Sequence, residues 1–141
     1  MAALVPPALR NNGEKGVYGE HISDAYMRAQ GHTKLNDGGV LTPLLPVPAR
    51  GTGIDGVWRH GNPPPDYIIT EAKYDTSQLR RTKRSGMQMS NQWINSNNRL
   101  ERAVGRPEAL RIAAAMRRPG GIEKRLHTIA PTGTLVETIL L

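Results

Sequence analysis

The chain has 141 residues, with 19 Lys and Arg against 12 Asp and Glu, for a net charge of +7. That length suits one domain with a modest core. The lack of Cys and Phe excludes disulfides and thiolate metal sites, and leaves the core to Leu, Ile, Val, Met and Ala. No apolar stretch approaches bilayer-spanning length, and four Tyr with two Trp are too few for a base-stacking platform.

In chain order, Met1-Ala2-Ala3-Leu4-Val5-Pro6-Pro7-Ala8 has neither a basic n-region nor a cleavable apolar segment, so it reads as linker and not as a signal peptide. Residues 1–13 are assigned to a linker remnant and 14–141 to one folded domain. Residues 15–31 read as an amphipathic helix in which Tyr18, Ile22, Ala25, Tyr26 and Ala29 share a face and Gly31 ends the element. Asn36-Asp37-Gly38-Gly39 is a turn signal, and residues 40–47 form a weak, edge-like strand interrupted by Pro43 and Pro46.

Two apolar runs follow, Gly53-Ile54-Asp55-Gly56-Val57-Trp58 and Tyr67-Ile68-Ile69-Thr70-Glu71-Ala72-Lys73, separated by the Pro-rich turn around 61–65. A helix is expected over 86–104, aligning Met89, Trp93, Leu100 and Val104. Gly105-Arg106-Pro107 breaks it, and a second helix runs to about Met116. After a turn at 118–121, residues 122–130 and 134–141 read as strands joined at Pro131-Thr132-Gly133. The order implies an α/β fold, a mixed sheet with helices packed on it.

The central hairpin carries the chemistry. Pairing Val57 with Ile69 and Arg59 with Tyr67 puts Asp55 opposite Glu71, and strand alternation puts Lys73 on the same face. Two unit negative charges about 5 Å apart repel by roughly 3 kcal/mol at an effective dielectric of about 20. Lys73 relieves part of this, and a divalent cation would relieve the rest. Oxygen ligands suit a hard ion such as Mg²⁺, with Mn²⁺ or Zn²⁺ as substitutes, and such a site suits phosphodiester hydrolysis. The competing reading is a solvated cross-strand Lys–carboxylate contact. Apolar neighbours on both faces of these strands argue instead for interior strands, whose charges need partners. Asp66, also acidic, lies about 17 Å from Glu71 along an extended strand and on the other face, so Asp55 is the better ligand.

The basic run Arg80-Arg81-Thr82-Lys83-Arg84 adjoins this strand and is a candidate phosphate-binding surface. Arg117-Arg118 and Lys124-Arg125 are further basic pairs. His21, His32, His60 and His127 show no metal-ligand spacing, so each is expected to be structural or exposed.

Four segments together resemble a known family. They are Gly19-Glu20 in the first helix, Gly53-Ile54-Asp55-Gly56-Val57-Trp58, Ile68-Ile69-Thr70-Glu71-Ala72-Lys73-Tyr74, and Gln88-Met89-Ser90-x-x-Trp93. In this order they resemble the nuclease domains that end polymorphic bacterial toxins, as in contact-dependent inhibition, Rhs-repeat and type VI effector proteins. Those domains belong to the restriction-endonuclease-like PD-(D/E)xK superfamily. The resemblance spans roughly 14–141, and Ile54 stands where the superfamily's name has proline.

It implies that Asp55 and Glu71 bind metal, that Lys73 orients water, and that Glu20 is an accessory acidic ligand. It further implies that Gln88 contacts water or phosphate from a helix. Arg80, Arg81, Lys83 and Arg84, with Lys124 and Arg125, would bind nucleic acid. DNA is expected as substrate and transfer RNA is the alternative. The resemblance further implies a cognate immunity protein, acidic to match this chain, no membrane partner, and delivery from the producing bacterium into a competitor's cytoplasm. For Glu20 the alternative is a solvated acidic pair with Asp24. A non-catalytic nucleic-acid-binding module and an interaction domain for an acidic protein remain the other function classes.

Overall fold

The computed structural model describes residues 8–44 and 53–141. Helix α1 spans Asn12–Ala29. The Asn11 side chain caps it by accepting from Glu14 N at 2.9 Å, and Arg10 pairs with Glu14 at 2.6 Å. The chain leaves the helix through Gly31, at φ +90°, a backbone state that favours glycine. A two-residue strand β1 (Thr33–Lys34) and a single 3-10 turn at Asp37–Gly39 lead on to β2 (Gly56–Arg59) and β3 (Tyr67–Tyr74). Short helices α2 (Asn91–Ile94) and α3 (Arg99–Val104), then α4 (Arg106–Met116), precede β4 (Ile122–Ile129) and β5 (Leu135–Leu140).

The five strands form one mixed sheet in the order β1-β2-β3-β4-β5. Only the β3–β4 pair is parallel, and α2–α4 supply the crossover that a parallel pair requires. The fold is therefore the expected α/β arrangement, a mixed sheet flanked by helices. The hairpin register is the expected one: Val57 faces Ile69 and Arg59 faces Tyr67.

Alternation splits the sheet residues between two layers. Val57, Tyr67 and Ile69 pack with Met89, Trp93, Ile94, Leu100, Ala109 and Ile112 beneath α2–α4. Trp58 and Ile68 pack with Met27 beneath α1. Glu108 docks α4 on the sheet, accepting from Arg59 at 2.8 Å and from Tyr67 OH at 3.3 Å.

Three local expectations are corrected. Helix α1 buries Val17, Tyr18, Gly19, Ser23, Asp24 and Met27, while Ala25 and Ala29 are exposed. The buried face is rotated because polar partners await Ser23 and Asp24. Ser23 Oγ lies 2.6 Å from His127 Nδ1, and Asp24 pairs with buried Lys34 at 2.7 Å. Residues 40–44 form no strand, and 45–47 of that expected strand lie outside the described residues. The helix expected over 86–104 is broken by Gly86, Met89, Asn97 and Asn98, all at positive φ, so only two short helices form within it.

Gly56 fixes the close packing of the hairpin. A Cβ there would collide with Thr70 Oγ1 and Trp58 Nε1, whose mutual hydrogen bond is 3.2 Å long. Gly16, in α1, has nothing within 4 Å of a Cβ built on it. Gly56→Ala should therefore cost about 1–3 kcal/mol, whereas Gly16→Ala should gain about 1 kcal/mol from helix propensity. Urea unfolding of the two variants checks both signs.

Candidate active site

β3 is twice as long as β2, its neighbour on one side. Pairing with β2 reaches Thr70 and stops at Gly56, while β3 continues to Tyr74. Asp55, the residue just before β2, covers the next step: its Oδ2 accepts the Ala72 N–H at 2.9 Å. A carboxylate thus occupies a ladder position that a carbonyl would normally fill. Asn36, 3% exposed, holds that turn from both sides. Its Nδ2 donates to the Asp55 carbonyl and its Oδ1 accepts from Val57 N, both at 2.9 Å.

Glu71 and Lys73 lie on the face of β3 turned toward α2–α4, the parity of Ile69. Glu71 is 4% exposed, and its Oε1 lies 3.3 Å from Lys73 Nζ. Its second oxygen is buried and receives no donor. Gly19 of α1 runs close over Ala72 and Tyr74 on the opposite face, which brings half-buried Glu20 to the end of β2 from the other layer. The Asp55 carboxyl interacts with both Glu20 and Glu71. Three elements thus deliver three carboxyls, and Lys73 supplies an ammonium.

Burial pushes the Glu71 carboxyl well above its ordinary range, the Asp55 charge adds to this, and Lys73 opposes it. Burial also raises Asp55, against hydrogen bonding with Glu20, with the Ala72 N–H and with Glu71, and against the charge of Lys73. Two carboxyls in contact and out of water resist ionising together. The donor-less oxygen of Glu71 beside Asp55 fits a hard divalent ion that takes one or two carboxylates and fills its other positions with water and phosphate oxygens. Among the described residues no three His, Cys, Asp or Glu side chains converge as a ligand set.

The other expected site residues divide. Glu20 is drawn to Asp55, whereas Asp24 accepts from Lys34 Nζ and Thr42 N, both at 2.7 Å; the solvated pair of the two acids does not exist. Gln88 is not on a helix. Its Oε1 accepts from Arg80 N and its N–H donates to Arg80 O, each at 2.9 Å, so it braces the basic loop. That loop is a structured reverse turn, with Arg81 bridged to Met87 and Thr82 bonded to Gly86. Arg80, Arg81, Lys83 and Arg84 are all exposed on it.

Lys124 and Arg125 do not form one surface, because neighbours in a strand point to opposite faces. Arg125 is engaged by Glu123 at 2.6 Å and Glu137 at 3.2 Å, and Lys124 is half-buried, with burial lowering its pKa. Asp66 pairs with Arg118 at 2.6 Å, at the far end of β3 from Glu71. His127 is fully buried, between Ser23 and Glu137. Sequence reasoning missed Asn36, whose only signal was an Asn in a turn motif.

The raised carboxyl has a consequence for stability. Folded Glu71 keeps its proton at pH values where the unfolded chain, titrating near 4.5, has released it. Its contribution is therefore present at low pH and lost as pH rises through the folded value. Gln in its place can accept from Lys73 and donate to Asp55 at any pH. Glu71→Gln should raise Tm at neutral pH, by about 3–4 °C per kcal/mol recovered, and the gain should vanish toward pH 4.5. Thermal melts across pH, without added metal, provide the check. The functional reading rests on geometry, because no family model, no curated protein and no solved structure matches the chain.

Proposed function

We propose that this chain is a metal-dependent nuclease of the PD-(D/E)xK type, acting as the toxic domain of an interbacterial competition protein. The observation that carries the reading is the Asp55–Glu71 carboxyl pair, interacting out of water with Lys73 alongside, at the one place where β3 outruns its neighbour. A structural ion pair needs one acid and one base. Two interacting acids out of water resist ionising together and destabilise the apo fold, which a binding role for cations explains and packing does not.

When bound, a divalent ion such as Mg²⁺, Mn²⁺ or Zn²⁺ would supply positive charge against the phosphoryl oxygens. The protein's own groups do the rest. Asp55, held by Asn36, and Glu71 would hold that ion at the end of β3. Lys73, tied to Glu71 at 3.3 Å, is within reach of an attacking water and of the charge that grows as the new P–O bond forms and the old one breaks. Glu20 supports Asp55 from α1. The exposed loop at 80–84 draws the phosphate backbone in through its charge. Binding of this kind reads no bases, so cleavage should be without strong sequence preference, with DNA as the substrate and transfer RNA as the alternative.

Purified protein incubated with plasmid DNA and with total RNA tests the reading. Cleavage should require divalent metal and stop in EDTA, and Glu71→Gln or Lys73→Ala should each lower the rate by about 10²-fold or more at equal folded concentration. Activity that survives EDTA, or a near-normal rate in either variant, would overturn it. Binding without cleavage under any metal would identify a nucleic-acid-binding module instead.

A nuclease of this kind has to be neutralised in the cell that makes it before it reaches the cytoplasm of a competitor. With a net charge of +7, an acidic immunity protein covering the loop at 80–84 is the complementary inhibitor. Replacing Arg80, Arg81, Lys83 and Arg84 together with Gln should slow its association about tenfold or more at low salt and flatten the salt dependence. Stopped-flow association rates across ionic strength measure this.

A further inference from the structure

A groove of about 440 Å³ opens beside the carboxyl pair, and its walls come from three parts of the chain. The end of β3 gives Lys73 and Asp75, the following loop gives Ser77 and Arg80, and the first turns of α1 give Asn12 and Lys15. The groove begins where the site ends. Ala72 lines it while its N–H is held by Asp55, and Lys73 lines it while its ammonium is paired with Glu71. Lys15, Lys73 and Arg80 line the space together with Asp75, and Asn12 and Ser77 add an amide and a hydroxyl. Gly16 removes a side chain from the α1 wall.

We infer that this groove binds a phosphodiester of the nucleic-acid strand, flanking the phosphate at Asp55 and Glu71, with Lys15 and Arg80 as the cations that hold it. The position beside the scissile phosphate rests on the nuclease reading; the binding of nucleic-acid phosphate does not. Lys15 is the new element. It lies one helical turn from the start of α1, far from Arg80 in sequence, and only the packing of α1 across Ala72 and Tyr74 brings the two to one groove. The Gln88 brace on both backbone groups of Arg80 fixes where that guanidinium starts from. Glu123 and Glu137 occupy Arg125, so that this arginine does not compete for the phosphate. The nucleic-acid backbone is thereby routed past the N-terminal half of α1.

The test separates groove from catalysis. Binding of a fluorescent DNA duplex, and separately of an RNA hairpin, is measured by anisotropy in EDTA across salt concentrations. The proteins compared are wild type, the Lys15→Gln/Arg80→Gln double variant, and Arg28→Gln. Arg28 is exposed and about 20 Å along α1 from Lys15. The double variant should lower the slope of log K against log salt by about one unit, close to 0.9 for the one phosphate that is no longer neutralised. Arg28→Gln should leave the slope unchanged. With Mg²⁺ present, the double variant should raise KM about tenfold or more and keep kcat within about threefold, the pattern of weakened substrate binding with the chemical step intact.

A slope unchanged in the double variant, or changed equally in Arg28→Gln, would overturn the groove, even if Glu71→Gln abolishes cleavage. A slope that falls as expected in a protein that never cleaves would uphold the groove and remove the nuclease. The nucleic acid that shows the fall, DNA or RNA, names the strand bound. Melting curves matching wild type confirm that the double variant is folded, as expected for two groove-lining cations whose replacement leaves the core untouched.

Discussion

The mismatch in length between β2 and β3 is the constraint on which the site depends. A strand edge with free amides must find acceptors, and β3 has four residues beyond its last pairing with β2. Covering that edge with a carboxylate solves the hydrogen bond at Ala72 but brings a charge beside Glu71. The arrangement is stable only because the turn before β2 is held rigidly. Asn36 clamps the backbone on both sides of Gly56. The segment carrying Asn36 is in turn anchored by the buried Lys34–Asp24 pair and by the Thr42 N–H on the same carboxylate. A chain of polar contacts thus runs from α1 through the 34–42 segment to Asp55.

The layer beneath α1 is more polar than a helix–sheet interface usually is. Ser23, His127, Glu137 and Arg125 form one connected set, with Tyr26 set edge-on to the His127 ring at 5.3 Å. Burial lowers the His127 pKa, against the hydrogen bond and charge of Glu137, which favours the neutral ring. Neutral imidazole matches its neighbours, one nitrogen facing a hydroxyl and the other a carboxylate. Such networks are directional, whereas apolar contacts are not, and they fix the rotation and height of α1 on the sheet. That matters here because α1 carries both Glu20 and Lys15. A slide by one residue would carry both away from the end of β3.

What could be read from the sequence followed the strength of each local signal. The hairpin register was legible because two β-rich runs flank a Pro-rich turn and only one alignment buries both apolar sets. From that register the facing of Asp55 and Glu71 follows. The rotation of α1 was not legible, since hydrophobicity marks a buried face and this one buries Ser23 and Asp24. The break in the segment at 86–104 was hidden for a different reason. Apolar spacing there suggests a helix, yet Met89, Asn97 and Asn98 adopt positive φ, which spacing does not encode. Lys124 and Arg125 misled as a pair because a linear basic run says nothing about which face of a strand each residue occupies. Asn36 and Lys15 acquire meaning only through contacts that link distant parts of the chain.

Lys73 couples the carboxyl cluster to the groove. It belongs to the first through Glu71 and to the second as a lining residue on the way toward α1. Lys73 Nζ lies 3.3 Å from the Glu71 oxygen, and its charge opposes the rise that burial and Asp55 impose on Glu71. Positive charge placed between the two carboxyls would compete with Lys73 for Glu71 and leave the ammonium available to an anion in the groove. The same substitution of charge would release the proton that burial and Asp55 keep on the pair. Cation binding, proton release and the turning of Lys73 toward phosphate would then be three aspects of one electrostatic exchange, as the proposed metal-dependent reading requires.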